Sequence, residues 1–498
     1  MGVTRATSAH LEQLQQLRDW APPRRPPVFA FFNVSMIGHV NPTFPLVLEL
    51  VRRGCEVHYF LPPNEDIRDA ARASGAIVES YVEDDDPDFE LERCGVEDAS
   101  GVTDRPLWER AVWPLASTLI AGDHILSRCR TLAVQAVLYD PMAPHGLLVA
   151  EVLGVPCVSL VTYPGLGSMA DLMSSPANLE LAKSIRIPYG LEIKEKFGVD
   201  LEVGILSRRQ YFCELNLITT SEDLVVPLPP AGHADWADEL REHCRFRAIG
   251  CLVSDDAPHV AGAGKQADGA AQPLDLGSNL PAEELALAAA AGSKVIFAAL
   301  GTMALSNRWA KDLGRQSGGN LPPGTTGKDF CQHVWRALFA AMRRLGDGYL
   351  CVVCVGTQPD ALDFMDAEGA EALPSNVVLR SSVPQVEMLR HHTDAFISHM
   401  GFNSMQESLH AGVPLIAVPQ AVDQPPNARK AEASGWGQAF LHPMETVTAS
   451  ALEAAIREVS LEGSRYRKAV EATRSQLQGG QVRAADFLMT MAARGRAV

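Results

Sequence analysis

Two α/β domains in tandem, each a parallel sheet covered by helices, are the fold class that this 498-residue chain predicts. Three observations predict it. The length exceeds what one ordinary core fills, so two domains are expected. Short apolar runs alternate with helical stretches along both halves, the pattern of repeated βα units. A stretch rich in Gly, Ala, Pro and Asp, "SDDAPHVAGAGKQADGAAQPLDLGSN" (254–279), parts the halves as an interdomain linker would. The expected layout is an extension over 1–26, a first domain over 27–253, a linker over 254–290 and a second domain over 291–475. A C-terminal helix, 476–498, is expected to pack back on the first domain.

The elements follow in order. After a Pro-rich lead-in, "VFAFFNV" (Val28–Val34) is a continuous apolar run suited to a buried parallel strand. The loop "SMIGH" comes next and carries Gly38 and His39. A helix through "PTFPLVLELVRRG" has its prolines at the start, where a missing N–H does no harm, and Gly54 at its close. "EVHYFLP" completes the βαβ unit. "AVLYD" (Ala136–Asp140), "PCVSLVT" (Pro156–Thr162) and "LNLITT" (Leu215–Thr220) are the later strands of this half. Beyond the linker come "KVIFAALGTM", "YLCVVCVG", "NVVLRS", "AFISHM" and "PLIAVPQ". The Gly-, Pro- and polar-rich stretch 306–330 reads as a long surface loop.

Composition narrows the function. A net charge of −17 argues against nucleic acid or an anionic membrane as the main partner, since both need a basic surface. An anionic substrate stays open, because backbone N–H groups can hold one locally. The lead-in has no apolar core of a secretory signal, and no apolar run reaches the ~20 residues of a membrane span. The chain therefore reads as a cytoplasmic protein, though its Arg- and Ser-containing, acid-poor first residues leave organelle targeting open. Ten scattered cysteines suggest reduced thiols. "CVVC" (Cys351, Cys354) has redox spacing, but in a strand positions i and i+3 face opposite ways, so both are expected to be core thiols. "GLGSMA" (Gly165–Ala170) is a weak dinucleotide motif because "VTYP" breaks the passage from strand to helix. No ligand set for a metal stands out.

The densest constellation is "FISHMGFNSMQESLHAGVPLIAVPQAVDQ". The strand "DAFIS" should end at His399, so His399, Gly401, Asn403 and Ser404 fall at a carboxyl end, where open α/β sheets bind ligands. A helix beginning at Ser404 offers free N–H groups and a dipole to an anion. Gly401 lets a phosphate approach the backbone, and His399 and Asn403 can donate to its oxygens. Glu407, one turn on from Asn403, suits the paired hydroxyls of a ribose. Asp423 and Gln424, past the next strand, suit those of a sugar ring. A nucleoside diphosphate bearing a sugar satisfies the set. The competing reading is that "SMQE" is an S-x-x-E capping box, with Ser404 and Glu407 merely closing a helix end.

The stretch Ser382–Gln424 resembles the donor-site signature of family 1 UDP-sugar glycosyltransferases, in the macrolide-glycosyltransferase branch. Ser382 stands where the plant pattern has a uracil-stacking Trp, and His-Met-Gly replaces the usual "HGG" or "HCG". The resemblance extends over roughly Val28–Gly435 and implies the GT-B fold, two Rossmann-like domains whose parallel sheets face each other across a cleft. It implies that the Val383 backbone pairs with the base and that Gln385 sits near the ribose. His399, Asn403 and Ser404 would hold the diphosphate, Glu407 the ribose, and Asp423 with Gln424 the sugar. Thr302 in "ALGTM" matches the Ser/Thr that contacts phosphate. "NVSMIGHVNPTFPLVLELVRRG" resembles the family's first loop and helix, whose histidine, here His39, is the catalytic base. Asp140 aligns with its acidic partner.

Chemistry agrees for these two residues. An imidazole with an ordinary pKa of ~6.5 can take a proton from a hydroxyl near neutral pH, and a carboxylate on its far nitrogen fixes the tautomer. A structural His39 and a helix-capping Asp140 are the plain alternatives. The implied activity is inverting transfer of a hexose from a UDP-sugar to a small, lipophilic acceptor, with no metal or other cofactor and the UDP-sugar as co-substrate. A UDP-sugar 2-epimerase, a lipid-linked-sugar transferase and a non-catalytic nucleotide-binding protein share the fold and stay as alternatives. The resemblance implies that the variable segments 91–115 and 163–211 wall the acceptor pocket; Met169, Met173 and Phe212 either line it or, as is commoner, are plain core.

Overall fold

The structure, a computed structural model, describes residues 26–82, 112–170, 187–201, 211, 213–254, 256–260, 273–314, 320–366 and 371–494. The lead-in 1–25, most of 91–115 and much of 163–211, including Met173, lie outside the described residues, as do Phe212 and the Met169 side chain.

Two sheets form, and every strand pair in them is parallel. The first comprises β1 (Val28–Phe32), β2 (Glu56–Phe60), β3 (Ile77–Glu79), β4 (Ala136–Tyr139), β5 (Cys157–Val161), β6 (Leu215–Ile218) and β7 (Phe246–Ala248). The second comprises β8 (Lys294–Ala299), β9 (Tyr349–Cys354), β10 (Val377–Arg380), β11 (Ala395–Ser398), β12 (Leu415–Ala417) and β13 (Gly437–Ala439). Their orders are β3-β2-β1-β4-β5-β6-β7 and β10-β9-β8-β11-β12-β13. In each, the chain winds outward from one central strand and then restarts on its other side. That reversal opens a crevice at the carboxyl ends, between β1 and β4 in the first sheet and between β8 and β11 in the second.

Both faces of each sheet are buried, which is why the strands read as continuous apolar runs. Phe29 and Phe31 join one core cluster, whereas Ala30 and Phe32 join the cluster on the opposite face. Each buried Phe contributes about 1.5–3 kcal/mol by leaving water. Cys351 and Cys354 divide between the two faces in the same way. Burial raises both thiols, Cys354 to about 12, so neither is an activated redox thiol.

Several features differ from the sequence expectation. The strands β3, β7 and β13 were not anticipated; each has three residues and lies at a sheet edge. Solvent on one side spares an edge strand the long apolar run that betrays a central one. Residues 282–290 are not linker: the helix Ala282–Ala291 sets Leu285 and Ala288 against Val295 and Phe297 of β8. Nor is 306–330 a surface loop where it is described. Trp309, Leu313 and Leu321 are buried in the second core, and Trp309 Nε1 donates to Asp360 Oδ1 at 2.7 Å. The last helix, Gly480–Arg494, packs Ala484, Ala485 and Leu488 into the first domain's core. Arg483 Nε donates to the Ile249 carbonyl at 2.7 Å, fastening it there. Among the described residues no helix is long and apolar enough to cross a membrane.

Candidate active site

The segment after β1 is a single helical turn, Ile37–Val40, rather than the open loop expected, and it runs through Asn41–Thr43 into the helix Phe44–Arg52. His39 therefore stands on a fixed turn at the carboxyl end of β1. Asn33 braces it from behind, giving Nδ2–H to the His39 carbonyl at 3.2 Å and to the Tyr59 hydroxyl at 2.8 Å. Phe32 of β1 is in register with Tyr139 of β4, so Asp140 emerges beside the turn. His39 Nδ1 lies 2.7 Å from Asp140 Oδ2, and the side chains are 18% and 2% exposed. The Met142 N–H occupies Asp140 Oδ1 at 2.8 Å, which fixes the carboxylate plane. Burial alone would lower the His39 pKa, but the charge of Asp140 and its hydrogen bond outweigh burial and raise it. Thr162, at the end of β5, places Oγ1 3.3 Å from the same Nδ1. With Nδ1 engaged, Nε2 is left for a substrate proton.

The second constellation stands at the crevice between β8 and β11. Ala299 and Ser398 are in register, so Gly301–Thr302 and His399–Gly401 leave the sheet side by side. The His399 ring lies against both glycines: a Cβ would come within 2.6 Å of it at Gly301 and 2.4 Å at Gly401. Burial pushes His399 down to about 4, against a raising contribution from the Ala299 backbone, so the ring is neutral at pH 7. Met400 and Val422, on either side of the site, have φ of +68° and +60°. Such conformations cost on the order of 1–2 kcal/mol per non-glycine residue and concentrate at functional sites. Gly301 itself has φ +83°. Gly301→Ala is therefore expected to cost about 1–3 kcal/mol and to displace His399. Thermal unfolding checks the first effect and calorimetric UDP binding the second.

The helix begins two residues earlier than expected, as Phe402–Ala411 with Gly401 at its N-cap. Ser404 is thus the third helical residue and caps nothing, so the capping-box reading fails. Gln385 binds both residues instead, its Nε2–H groups reaching Ser404 Oγ at 3.1 Å and Glu407 Oε2 at 2.5 Å. Burial pushes Glu407 up to about 7, while the Gln385 hydrogen bond pulls the other way. Asp423 accepts from the Phe402 N–H at 3.2 Å and from Asn427 at 2.9 Å through Oδ2. That leaves the N–H groups of Asn403 and Ser404, which have no intrahelical acceptor, to meet an anion. Gln424, 3% exposed, spends Oε1 on the Gln420 N–H at 2.9 Å, so only its Nε2 side can face a sugar. Val383 is buried just ahead of Gln385.

The two constellations meet. Asn403 Nδ2 donates to the carbonyl of Gly38, the residue before His39, at 2.5 Å. Beside this contact lies a cavity of about 590 Å³ lined by Asn41, His259, Pro384, Asn403, Gln406 and Glu407, among others. Sequence reasoning missed Thr162, Asn33, Asn41 and His259. Of these only Asn41, two residues past His39, carried a local signal.

The chain is similar to known proteins along most of its length. A family model described as "UDP-glucoronosyl and UDP-glucosyl transferase" matches residues 361–478. NDP-glycosyltransferase YjiC of Bacillus licheniformis is 24% identical over 85% of this chain and 87% of its own. Oleandomycin glycosyltransferase of Streptomyces antibioticus is 28% identical over 93% and 90%. Among solved structures, glycosyltransferase VinC in complex with dTDP superposes with a TM-score of 0.59 at 16% identity, covering 94% of this chain and all of that one.

Proposed function

We propose that this chain, which belongs to the family 1 UDP-glycosyltransferases and has their GT-B fold, moves a hexose from UDP to a hydroxyl of a small lipophilic molecule with inversion. One observation carries the reading. The His39–Asp140 pair, which can remove a proton, lies one hydrogen bond from the segment that can hold a diphosphate.

In this reading His39 Nε2 takes the acceptor's hydroxyl proton as the oxygen attacks the anomeric carbon. The bond from that carbon to the β-phosphate oxygen breaks on the opposite face, and UDP leaves with the electron pair. One displacement inverts the configuration. Asp140 stabilises the imidazolium as it forms, as the carboxylate does in a serine-protease triad. The departing charge meets the Asn403 and Ser404 N–H groups, the Asn403 amide, neutral His399 and Thr302, in place of a metal ion. Gln385 and Glu407 hold the ribose, the Val383 backbone the base, and Asp423 with the free side of Gln424 the sugar. A lipophilic acceptor is supported by the likeness to oleandomycin glycosyltransferase.

Incubation with UDP-glucose and a panel of phenols and macrolides, in EDTA, should give products heavier by one hexose with a β-anomeric proton coupling. Release of free hexose or an epimerised sugar nucleotide without acceptor transfer would replace the reading with hydrolysis or epimerisation.

A further inference from the structure

Asn320, in the stretch 306–330 that the sequence presents as a surface loop, lies against the loop that follows β12. Its N–H donates to the Gln420 carbonyl at 3.1 Å. Gln420 is pinned at two further points. Its own N–H donates to Gln424 Oε1 at 2.9 Å, and its Nε2–H donates to the Leu300 carbonyl at 2.7 Å. A backbone N–H can only donate and a carbonyl can only accept, so these bonds fix which way both glutamine amides point. Leu300 follows β8 and directly precedes Gly301–Thr302. Because β11 stands between β8 and β12, the Gln420 side chain ties together the loops on either side of it. Packing does not account for a glutamine at this position. The residue is 0% exposed, and its Oε1 is buried with no partner among the described residues. An apolar side chain of equal length would leave no such acceptor unmatched.

We propose that Gln420 is a positioning residue for the donor sugar. Anchored by Asn320 and Leu300, it keeps its N–H on Gln424 Oε1, so that Gln424 turns Nε2–H towards a sugar hydroxyl. The inference rests on the sugar-binding role given to Gln424 above and deepens it. The stretch 306–330 gains a part in donor recognition, since Asn320 is one of the anchors. With an anchor lost, the Gln424 amide is free to rotate and the sugar loses a donor. One such hydrogen bond is about three- to tenfold in affinity.

The test is calorimetric binding of UDP and UDP-glucose to the full chain and to its Gln420→Met, Gln424→Ala and double variants. Met keeps the length of the side chain and removes the bond to Leu300. Each single variant should weaken UDP-glucose relative to UDP by about three- to tenfold. A residue that acts through Gln424 has nothing left to lose without it. Gln420→Met should therefore change that ratio by less than about twofold in the Gln424→Ala background. In the wild type, UDP-glucose should slow hydrogen exchange of the Gln420 amide more than UDP does. If Gln424→Ala lowers the ratio but Gln420→Met leaves it unchanged, or the two losses add, the Gln420 assignment falls and the sugar site stands. Should Gln420→Met fail to fold, equal protection of the Gln420 amide by both ligands overturns the assignment in its place. If Gln424→Ala itself leaves the ratio unchanged, the sugar is not at Gln424, and that reading falls and takes this one with it.

Discussion

His39→Ala is expected to lower kcat for glycosyl transfer by about 10³–10⁴-fold, at the upper end of what a positioned general base supplies, while UDP affinity stays within about twofold. The two effects separate because, in the proposed site, His39 faces the acceptor and the nucleotide rests on the second domain. Single-turnover transfer and calorimetric UDP binding measure them independently. Equal loss of both would make His39 a structural residue. Asp140→Asn sharpens the test. The amide keeps the volume of the carboxylate, yet it removes the charge that favours the imidazolium and disturbs the tautomer, for a loss of about 10²–10⁴-fold. It should also move the pH profile in a stated direction. In the wild type Asp140 raises the His39 pKa above 6.5, and the base works only when deprotonated, so kcat/KM should rise with pH through a limb above 6.5. Without the carboxylate only burial acts, and the limb should move below 6.5. An unchanged limb would mean that another group is the base.

The second large effect concerns Glu407, where binding and stability should move in opposite directions. Glu407→Gln is expected to weaken UDP by about 10–100-fold, the range for a hydrogen bond to a charged group. The same substitution should stabilise the nucleotide-free protein. The carboxyl stands at about 7 in the fold against an unfolded value near 4.5, so at low pH both states hold the proton and the residue costs nothing. As pH rises through this window the unfolded chain ionises freely while the fold resists. The gain of Gln over Glu should therefore be near zero below pH 4.5, grow towards pH 7 and level off on the order of 1–3 kcal/mol. Urea titrations at pH 4.5 and 8 would read the difference. In the proposed site the ribose hydroxyls donate to the ionised form, so UDP affinity of the wild type should rise between pH 6 and 8, with proton release visible as a dependence of binding heat on buffer. A pH-independent affinity would place the ribose elsewhere.

Much of this site was legible in the chain itself. His399, Gly401, Asn403, Ser404 and Glu407 are within nine positions, and strand-to-helix periodicity alone places them at a carboxyl end. The helix starts two residues before the position the sequence suggests, because Ser404 looks like an N-cap in sequence. In the fold the neighbouring Asp423 accepts the Phe402 N–H, and Gly401 takes the cap position. Trp309 and Leu321 were hidden among glycines and prolines, whose turn chemistry dominates a local reading and says nothing of what the turns pack against.

By itself, then, the order of residues determined the two βα halves, the donor motif and the identity of the groups that could carry charge and protons. Only the tertiary structure decided their partnerships: His39 with Asp140 across 101 positions, Asn403 with Gly38 across 365, and the linker's His259 beside Glu407. Periodicity is set by each residue's near neighbours. Which carboxyl ends stand side by side depends instead on strand order and on how two packed domains meet, and those are properties of the whole chain.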